Sequence, residues 1–573
     1  MYIESVPNHG SRPTILLRQG RREGPRVIKV TLANLSDWSE ERIDAFRRVL
    51  AGERLVPIDQ LVTVERSSPH GHAEAILGTI HKIGLDSLIA SKRSRQRDLV
   101  LAMIAERLIA PASKLGTARL WSSSTLGEDL GVEEADVEEL YDALDWLLDR
   151  QDRIERKLAH QHLSEGAKVL YDVSSSFYFG RHCALAAFGH DRDGKKGLPI
   201  IVYGLLTDHE GRPVAVHVYR GNTADPTTVP DQVKSLRDRF GLSRVVLVGD
   251  RGMLTNAQIE ALRAHPELGW ISCLRSPAIR SLVEQKHLQM SLLDEQRLAE
   301  LSVPEYPDER LIACHNPMLA AERARKREEL LAVTERELEK VRRAAERRTK
   351  TPMLRAEIGM RVGRVLYRHK MGKHFLLTIT DGAVSWERRQ DTIDREAALD
   401  GLYVIRTSEP ADQLSAPDAV RSYKSLSQVE RAFRSLKGFG LRIRPIFHRA
   451  ERRVRAHVFL CMLAYYVEWH MRRALAPLLF HDEELPALRN TRPPVDPAQP
   501  SPSVQRKKAS RITENGLPIQ SLQTLLAALA TRCRLLCRID GQPLPFTQLT
   551  DSTPLQHQAL HLLGIVPRLR KSR

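Results

Sequence analysis

Two aspartates set in short apolar runs, and one glutamate on a helical stretch, constrain this chain more than any other feature. Asp172 interrupts Lys168-Val-Leu-Tyr-Asp172-Val-Ser-Ser, and Asp250 closes Arg244-Val-Val-Leu-Val-Gly-Asp250. Apolar, β-branched runs of this length fit buried strands better than helices. A carboxylate at the end of such a run has no packing role, because unpaired burial costs several kcal/mol or neutralises it. Asp250 also suits a turn into a helix predicted at about 256–264, with Thr255 as its N-cap. Between Asp418 and Gly438 the spacing is helical, with Gly438 and Gly440 as stops. Tyr423, Leu426, Glu430, Phe433 and Lys437 recur at intervals of three and four, so one helix would carry them on one face. A partly buried ion pair is the plainer use of Glu430 and Lys437. Three carboxylates on three rigid elements are also what holding two Mg²⁺ ions against a phosphodiester requires.

These residues carry a resemblance. Tyr423, Glu430 and Lys437 match the Y-x-x-R-x-x-x-E-x-x-x-x-x-x-K helix of insertion-sequence transposases of the DDE type, with Leu426 where that pattern has Arg. Leu170-Tyr-Asp172-Val-Ser-Ser-Ser resembles the family's first-Asp block. Gly221-Asn-Thr-Ala-Asp225 resembles its GNTxD block, and Val248-Gly-Asp250-Arg-Gly-Met its second-Asp block. Arg444-Pro-Ile-Phe-His448 and Arg455-Ala-His457 resemble the segment after the catalytic helix. The blocks span roughly 168–475 in the family's order.

The resemblance implies an α/β core: a ribonuclease H-like mixed five-stranded sheet with helices, carrying a large inserted α+β domain. It implies Asp172, Asp250 and Glu430 as catalytic residues and ligands of two Mg²⁺ ions, with Mn²⁺ as a substitute. Asp172 would bridge the ions. Cleavage would leave a 3′-OH that attacks target DNA without a covalent protein intermediate, in a homodimer acting on paired terminal inverted repeats. Tyr423 and Lys437 would hold phosphates beside the scissile bond, and Arg434 would supply the charge missing at Leu426. The implied location is the bacterial cytoplasm, at the nucleoid. Two other classes stay open: a ribonuclease H-like nuclease that cuts without joining, and a DNA-binding derivative that has lost catalysis.

Composition agrees with a polyanionic partner. The 573 residues carry a formal net charge of +17, which favours nucleic acid. Residues 421–455 hold eleven Lys or Arg against two acids. Arg442, Arg444, Arg452 and Arg453 are therefore expected to contact the phosphates of double-stranded DNA. No membrane role is expected, because the longest apolar stretch, near His457–Trp469, is too short to span a bilayer. Six scattered cysteines without a CxxC pair read as reduced cytoplasmic thiols, with Cys533 and Cys537 one helical turn apart.

Six regions follow. Residues 1–65 form a small strand-rich unit. Residues 66–165 are helical, and the resemblance implies recognition of element ends there. The first part of the core covers 166–276, with three antiparallel strands, then helix, strand, helix, strand. Residues 277–410 are an insertion, since Glu430 comes about 180 residues after Asp250, too far for a loop. It opens with a charged helix capped by Asn316-Pro317, read as a solvated arm or coiled-coil hairpin. Strands at 361–367, 374–379 and 402–407 follow. Trp386, after the turn Asp381-Gly382, is the candidate for stacking on an extruded base. Residues 411–480 complete the core. Residues 481–573 are a flexible Pro-rich linker and a short helical tail, predicted at 520–536 and 555–563.

Other motifs fail. Gly189-His-Asp-Arg-Asp-Gly194-Lys195-Lys196 nearly spells a P-loop, but Lys196 stands where Ser or Thr would bind Mg²⁺, and a strand follows. His70-Gly-His72 has no partner at metal-ligand spacing and reads as a capping or loop segment.

Overall fold

A computed structural model describes the chain except residues 54–61, 196, 266, 295–296, 540–543 and 567–573. Lys196 and the end of the C-terminal tail thus lie outside the described residues. The chain forms two units, Met1–Ser68 with Cys533–Thr550, and Pro69–Arg532 with the C-terminal helix Pro554–Leu563.

In the smaller unit, Tyr2–Asn8, Ser11–Glu23 and Arg26–Asn34 pair as an antiparallel sheet, as their alternating pattern predicts. A second sheet joins Val62–Pro69, Cys533–Ile539 and Phe546–Leu549. Cys533 and Cys537 therefore lie on a strand, not a helix. The expected 520–536 helix stops at Ala530, because Arg534–Cys537 pair with Phe546–Leu549, and tertiary pairing overrides local spacing.

The larger unit begins with helices, including Gly71–Lys82, Arg95–Ile109 and Val137–Leu148. The last is started by a capping box between Asp136 and Glu139. Leu140, Leu144 and Leu147 are its buried face, and Leu99, Met103 and Ile104 are buried on helix Arg95–Ile109.

The helices adjoin a sheet of eight strands: β1 Ala167–Phe177, β2 Ile200–Thr207, β3 Pro213–Arg220, β4 Val245–Val248, β5 Leu268–Cys273, β6 Leu298–Leu301, β7 Arg310–His315 and β8 Leu402–Thr407. The spatial order is β6-β7-β8-β5-β4-β1-β2-β3. Strands β1, β2 and β3 are antiparallel neighbours, and β4 and β5 run parallel to β1. The β2–β3 turn is closed by Asp208, whose carboxylate accepts the Glu210 and Arg212 N–H groups at 2.9 Å. The expected five strands are joined by three more. β6, β7 and β8 all come from the stretch read as an insertion, and they extend the sheet beyond β5.

The rest of that stretch has its own core. Helix Pro317–Glu346 starts at Asn316, whose side chain accepts the Leu319 N–H at 3.1 Å. Its strip of Leu331, Leu338, Val341 and Ala345 is covered by Ile358, Val362, Phe375 and Val384, so the helix is docked, not a solvated arm. The strand expected at 361–367 lies inside helix Arg355–His369. Ile358, Val362 and Val365 are spaced for a helix face, and packing on the long helix overrides their β-branching.

Helix Glu451–Ala474 runs buried from Val454 through Val467 at nearly every position. Among the described residues no helix is long and apolar enough to cross a membrane. The Pro-rich stretch is packed, not a flexible linker. It contains helices Leu485–Thr491 and Pro502–Ser510, with Val495 and Val504 buried.

His72 follows the N-terminal His70 of helix Gly71–Lys82 and is buried, its Nδ1 unbonded among the described residues. Burial pushes its pKa down to about 4. Its folded value lies below the ordinary ~6.5, so it favours the fold above pH ~6.5 and loses that contribution as pH falls toward 4. We expect the stability difference between parent and His72→Leu to shift against the parent by at most about 3 kcal/mol between pH 7 and 4. Urea melts at each pH measure it. Taking the difference isolates His72 from Asp172 and Glu106, whose folded values near 7 titrate in the opposite sense. A pH-independent difference would mean that His72 protonates in place.

Candidate active site

Strand register brings the two aspartates level. In the parallel β1–β4 pair, Leu170 is the partner of Val248. Two residues further along each chain stand Asp172, still on β1, and Asp250, just past the end of β4; neighbouring strands lie about 4.8 Å apart. Asp172 Oδ1 accepts its neighbour's N–H, Val173, at 2.7 Å. Asp250 Oδ1 accepts the N–H groups of Gly252 and Met253, both at 2.8 Å. Asp250 thus also closes the turn toward helix Asn256–Arg263, the alternative use read from the sequence.

The expected helix carrying Glu430 is two helices, Ala416–Lys424 and Leu426–Lys437. They break at Ser425, where the Gln428 N–H reaches only three residues back, to the Ser425 carbonyl at 2.8 Å. Tyr423 is therefore not on Glu430's helix. It remains near the acids by another route: its buried phenol meets the Cys273 thiol, and burial raises its pKa, with the fields of Cys273 and Asp250 adding to this. Helix Leu426–Lys437 buries Val429, Ala432, Phe433 and Leu436. Phe433 packs on Tyr203 of β2 at 5.9 Å between ring centroids. Leu426 packs against the same core, and Glu430 is exposed at its surface.

The three acids share one field. Burial pushes Asp172 up to about 7; the Val173 N–H and the Arg192 guanidinium oppose this, and the negative charges of Asp250 and Glu430 add to it. Arg192 is itself held by an ion pair to Asp225. That gives the Gly221–Asp225 block a role that spacing alone did not reveal: it places the cation facing Asp172.

The carboxylates suit a hard cation in donor chemistry. Among the described residues no hydrogen bond reaches the second oxygen of Asp172 or Asp250, or either oxygen of Glu430. They do not form a closed ligand set as they stand, since among the described residues no three His, Cys, Asp or Glu side chains are grouped to hold a metal.

The cations expected to meet phosphate are mostly engaged within the protein. Lys437 Nζ lies 2.9 Å from Asp193, whose side chain is 1 % exposed, and Arg444 pairs with the same carboxylate. Asp193 also accepts the Phe177 N–H at 3.2 Å. The loop that nearly spelled a P-loop therefore anchors the end of the Glu430 helix to β1. Arg452 pairs with Asp145 and Asp149, and Arg453 lies over the Tyr141 ring at 4.2 Å. Arg442 and Arg434 are exposed, with no ion pair among the described residues. Trp386 sits half-buried against the core of the Pro317–Ala397 region. Among the more exposed aromatics, Phe179 and Phe447 stack at 6.1 Å, both over half exposed, with Phe179 just past the end of β1.

Residues 184–467 match the family model described as a transposase DDE domain. The match takes in Asp250 and Glu430 and begins beyond Asp172. No curated protein sequence matches the chain. Among solved structures, the piggyBac transposase synaptic complex with hairpin DNA is 10% identical and covers 80% of this chain and 76% of its own, with a TM-score of 0.32. By that match, residues 184–467 of the chain are a transposase DDE domain.

Proposed function

We propose that the chain is a DNA transposase that cuts the ends of an insertion sequence and joins the resulting 3′-OH to target DNA. The observation that carries this reading is the level pair of Asp172 and Asp250 in one field with Glu430. The order β3-β2-β1-β4-β5, with β1 to β3 antiparallel and β4 and β5 parallel to β1, supports a ribonuclease H-like core as its frame.

Asp172, Asp250 and Glu430 would hold divalent cations, Mg²⁺ or in its place Mn²⁺. Such ions, when bound, lower the pKa of an attacking hydroxyl and stabilise charge on a phosphate. The protein's own part is positional. Strand β1 carries Asp172, the turn after β4 carries Asp250, and a helix packed by Phe433 carries Glu430. Arg192, oriented by Asp225, offsets negative charge beside Asp172. Tyr423 closes the Asp250 side behind them. The helical region 66–165 would grip the element's ends, and two protomers would act on paired ends of duplex DNA.

The test uses a labelled duplex carrying the DNA that flanks the gene, with and without Mg²⁺, and a supercoiled target. The expected products are 3′-OH ends and joined strands, both lost in EDTA. Cutting without joining would replace this reading by a nuclease. Binding with neither product would replace it by a non-catalytic DNA-binding protein.

A further inference from the structure

A groove of about 2000 Å³ runs beside the acid centre, and none of Asp172, Asp250 and Glu430 lines it. Lys168 stands at one side, Arg431 and Arg434 come from the Glu430 helix, and Arg492 and Lys508 come from the Pro-rich segment. Among the described residues none of these five has an ion pair. Each carboxylate that lines the groove already has a partner on at least one oxygen, with Glu468 Oε2 and Asp482 Oδ1 left unbonded among the described residues. Arg421 lies 3.0 Å from Asp418, Arg472 2.6 Å from Glu468, Arg473 2.8 Å from Glu210 and Arg297 2.9 Å from Asp496. Glu483 pairs with Lys507, and Asp482 accepts the Ser501 N–H at 2.8 Å. None of the five cations therefore has a carboxylate within ion-pair distance among the described residues; the field of Asp418, itself paired with Arg421, reaches Lys168.

Their placement ties the groove to the acids. At 3.6 residues per turn, Arg434 lies about 40° and Arg431 about 100° around the helix axis from Glu430. Lys168 precedes Asp172 by four residues on β1, so both side chains share a sheet face, about 13 Å apart. That distance is the rise of about four base pairs of duplex.

We propose that this groove binds the phosphate backbone of duplex DNA, about four base pairs away from the phosphate held at the acid centre. The inference rests on the transposase reading and adds to it a second tract of backbone contact, partly built by the Pro-rich segment. A polyanion is the occupant that five unpaired cations select. Duplex DNA is the polyanion that reaches both groove and acids.

The test is equilibrium binding of the full-length protein to a fluorescent duplex of about 30 base pairs in EDTA, from 50 to 300 mM salt. The variant is Arg431→Gln, Arg492→Gln and Lys508→Gln together; circular dichroism and thermal melting check its fold. Each lost phosphate contact lowers the slope of log K against log salt by about 0.9, so a fall of roughly 2 to 3 is expected. Lys508→Glu alone, on an exposed helix surface, should weaken binding in the same direction and covers the case in which the triple variant misfolds. A folded variant with the parent's steep slope would overturn the groove and leave the transposase reading standing. A parent that binds duplex with no salt dependence would instead overturn the transposase reading itself.

Discussion

Replacing Asp172 by Asn should abolish strand cleavage and at the same time stabilise the protein. The first effect follows from position. Asp172 shares one field with Asp250 and Glu430, and on the proposed mechanism losing one of three cation ligands would leave the reacting groups misplaced. A loss of at least about a thousandfold, or ~4 kcal/mol in the transition state, is the scale of one missing electrostatic stabiliser. The second effect follows from burial. Asp172 is pushed up to about 7, chiefly by desolvation. Its folded value lies above the unfolded ~3.9, so ionising it in the fold disfavours the native state. That cost is absent below about pH 4 and grows as pH rises through 7. Without divalent cations at pH 8, Asp172→Asn should therefore gain at most about 4 kcal/mol over the parent, and the gain should vanish in acid. Glu430→Gln should lose cleavage without that gain, because Glu430 is exposed. Single-turnover cutting of an end-containing duplex and urea melts at pH 4 and 8 check both. Parent-rate cutting by Asp172→Asn would remove this residue from the site.

The parts legible from sequence were those written in local pattern. Asp172 and Asp250 stood out because a charge at the end of an apolar strand has no packing use. Their motif blocks gave the family. The hairpin of β2 and β3 was legible from Asp208-His-Glu-Gly211, a turn between two apolar runs. What failed were features set by distant partners. Only the short pattern Ser425-Leu-Ser-Gln428 marks the break, and the helical spacing that continues across it outweighs that signal. Cys533–Ile539 is a strand only because another strand lies beside it. The strip on helix Pro317–Glu346 looked too narrow to pack, since its cover comes from residues 353–384. β6 and β7 were missed because four- and six-residue strands beside charged turns carry little periodicity. The basic run at 421–455 was legible as charge, but its use was not. Four of its eleven cations, Lys437, Arg444, Arg452 and Arg453, close ion pairs with acids far away in the chain, while Arg431 and Arg434, without an ion pair among the described residues, line a groove with the Pro-rich segment.

Asp193 shows the largest of these long-range effects, and removing it should cost the fold about 3–5 kcal/mol, the scale of breaking a buried ion pair from one side. Its carboxylate is 1 % exposed and holds Lys437, Arg444 and the Phe177 N–H together. Lys437 is itself only 11 % exposed at its side chain, and burial lowers its pKa against the pull of Asp193. Asp193→Ala would leave that ammonium without an anion in a half-dry site. Lys437→Met should cost less, because Arg444 still pairs with the carboxylate. In the Asp193→Ala background Lys437→Met should be close to neutral, which gives a coupling of about 1–3 kcal/mol in a double-mutant cycle. Urea melts of the four proteins measure it. Additive losses would mean that the pair contributes nothing and that Lys437 is free. The same variants separate anchoring from phosphate contact. A lysine pinned by Asp193 leaves the salt slope of duplex binding unchanged when it becomes Met, whereas a lysine that meets a phosphate takes about 0.9 from it. The 2.9 Å contact with Asp193 favours the first outcome: Lys437 then serves the site by fixing the end of the Glu430 helix against β1, and the phosphates are met by cations that no carboxylate has claimed.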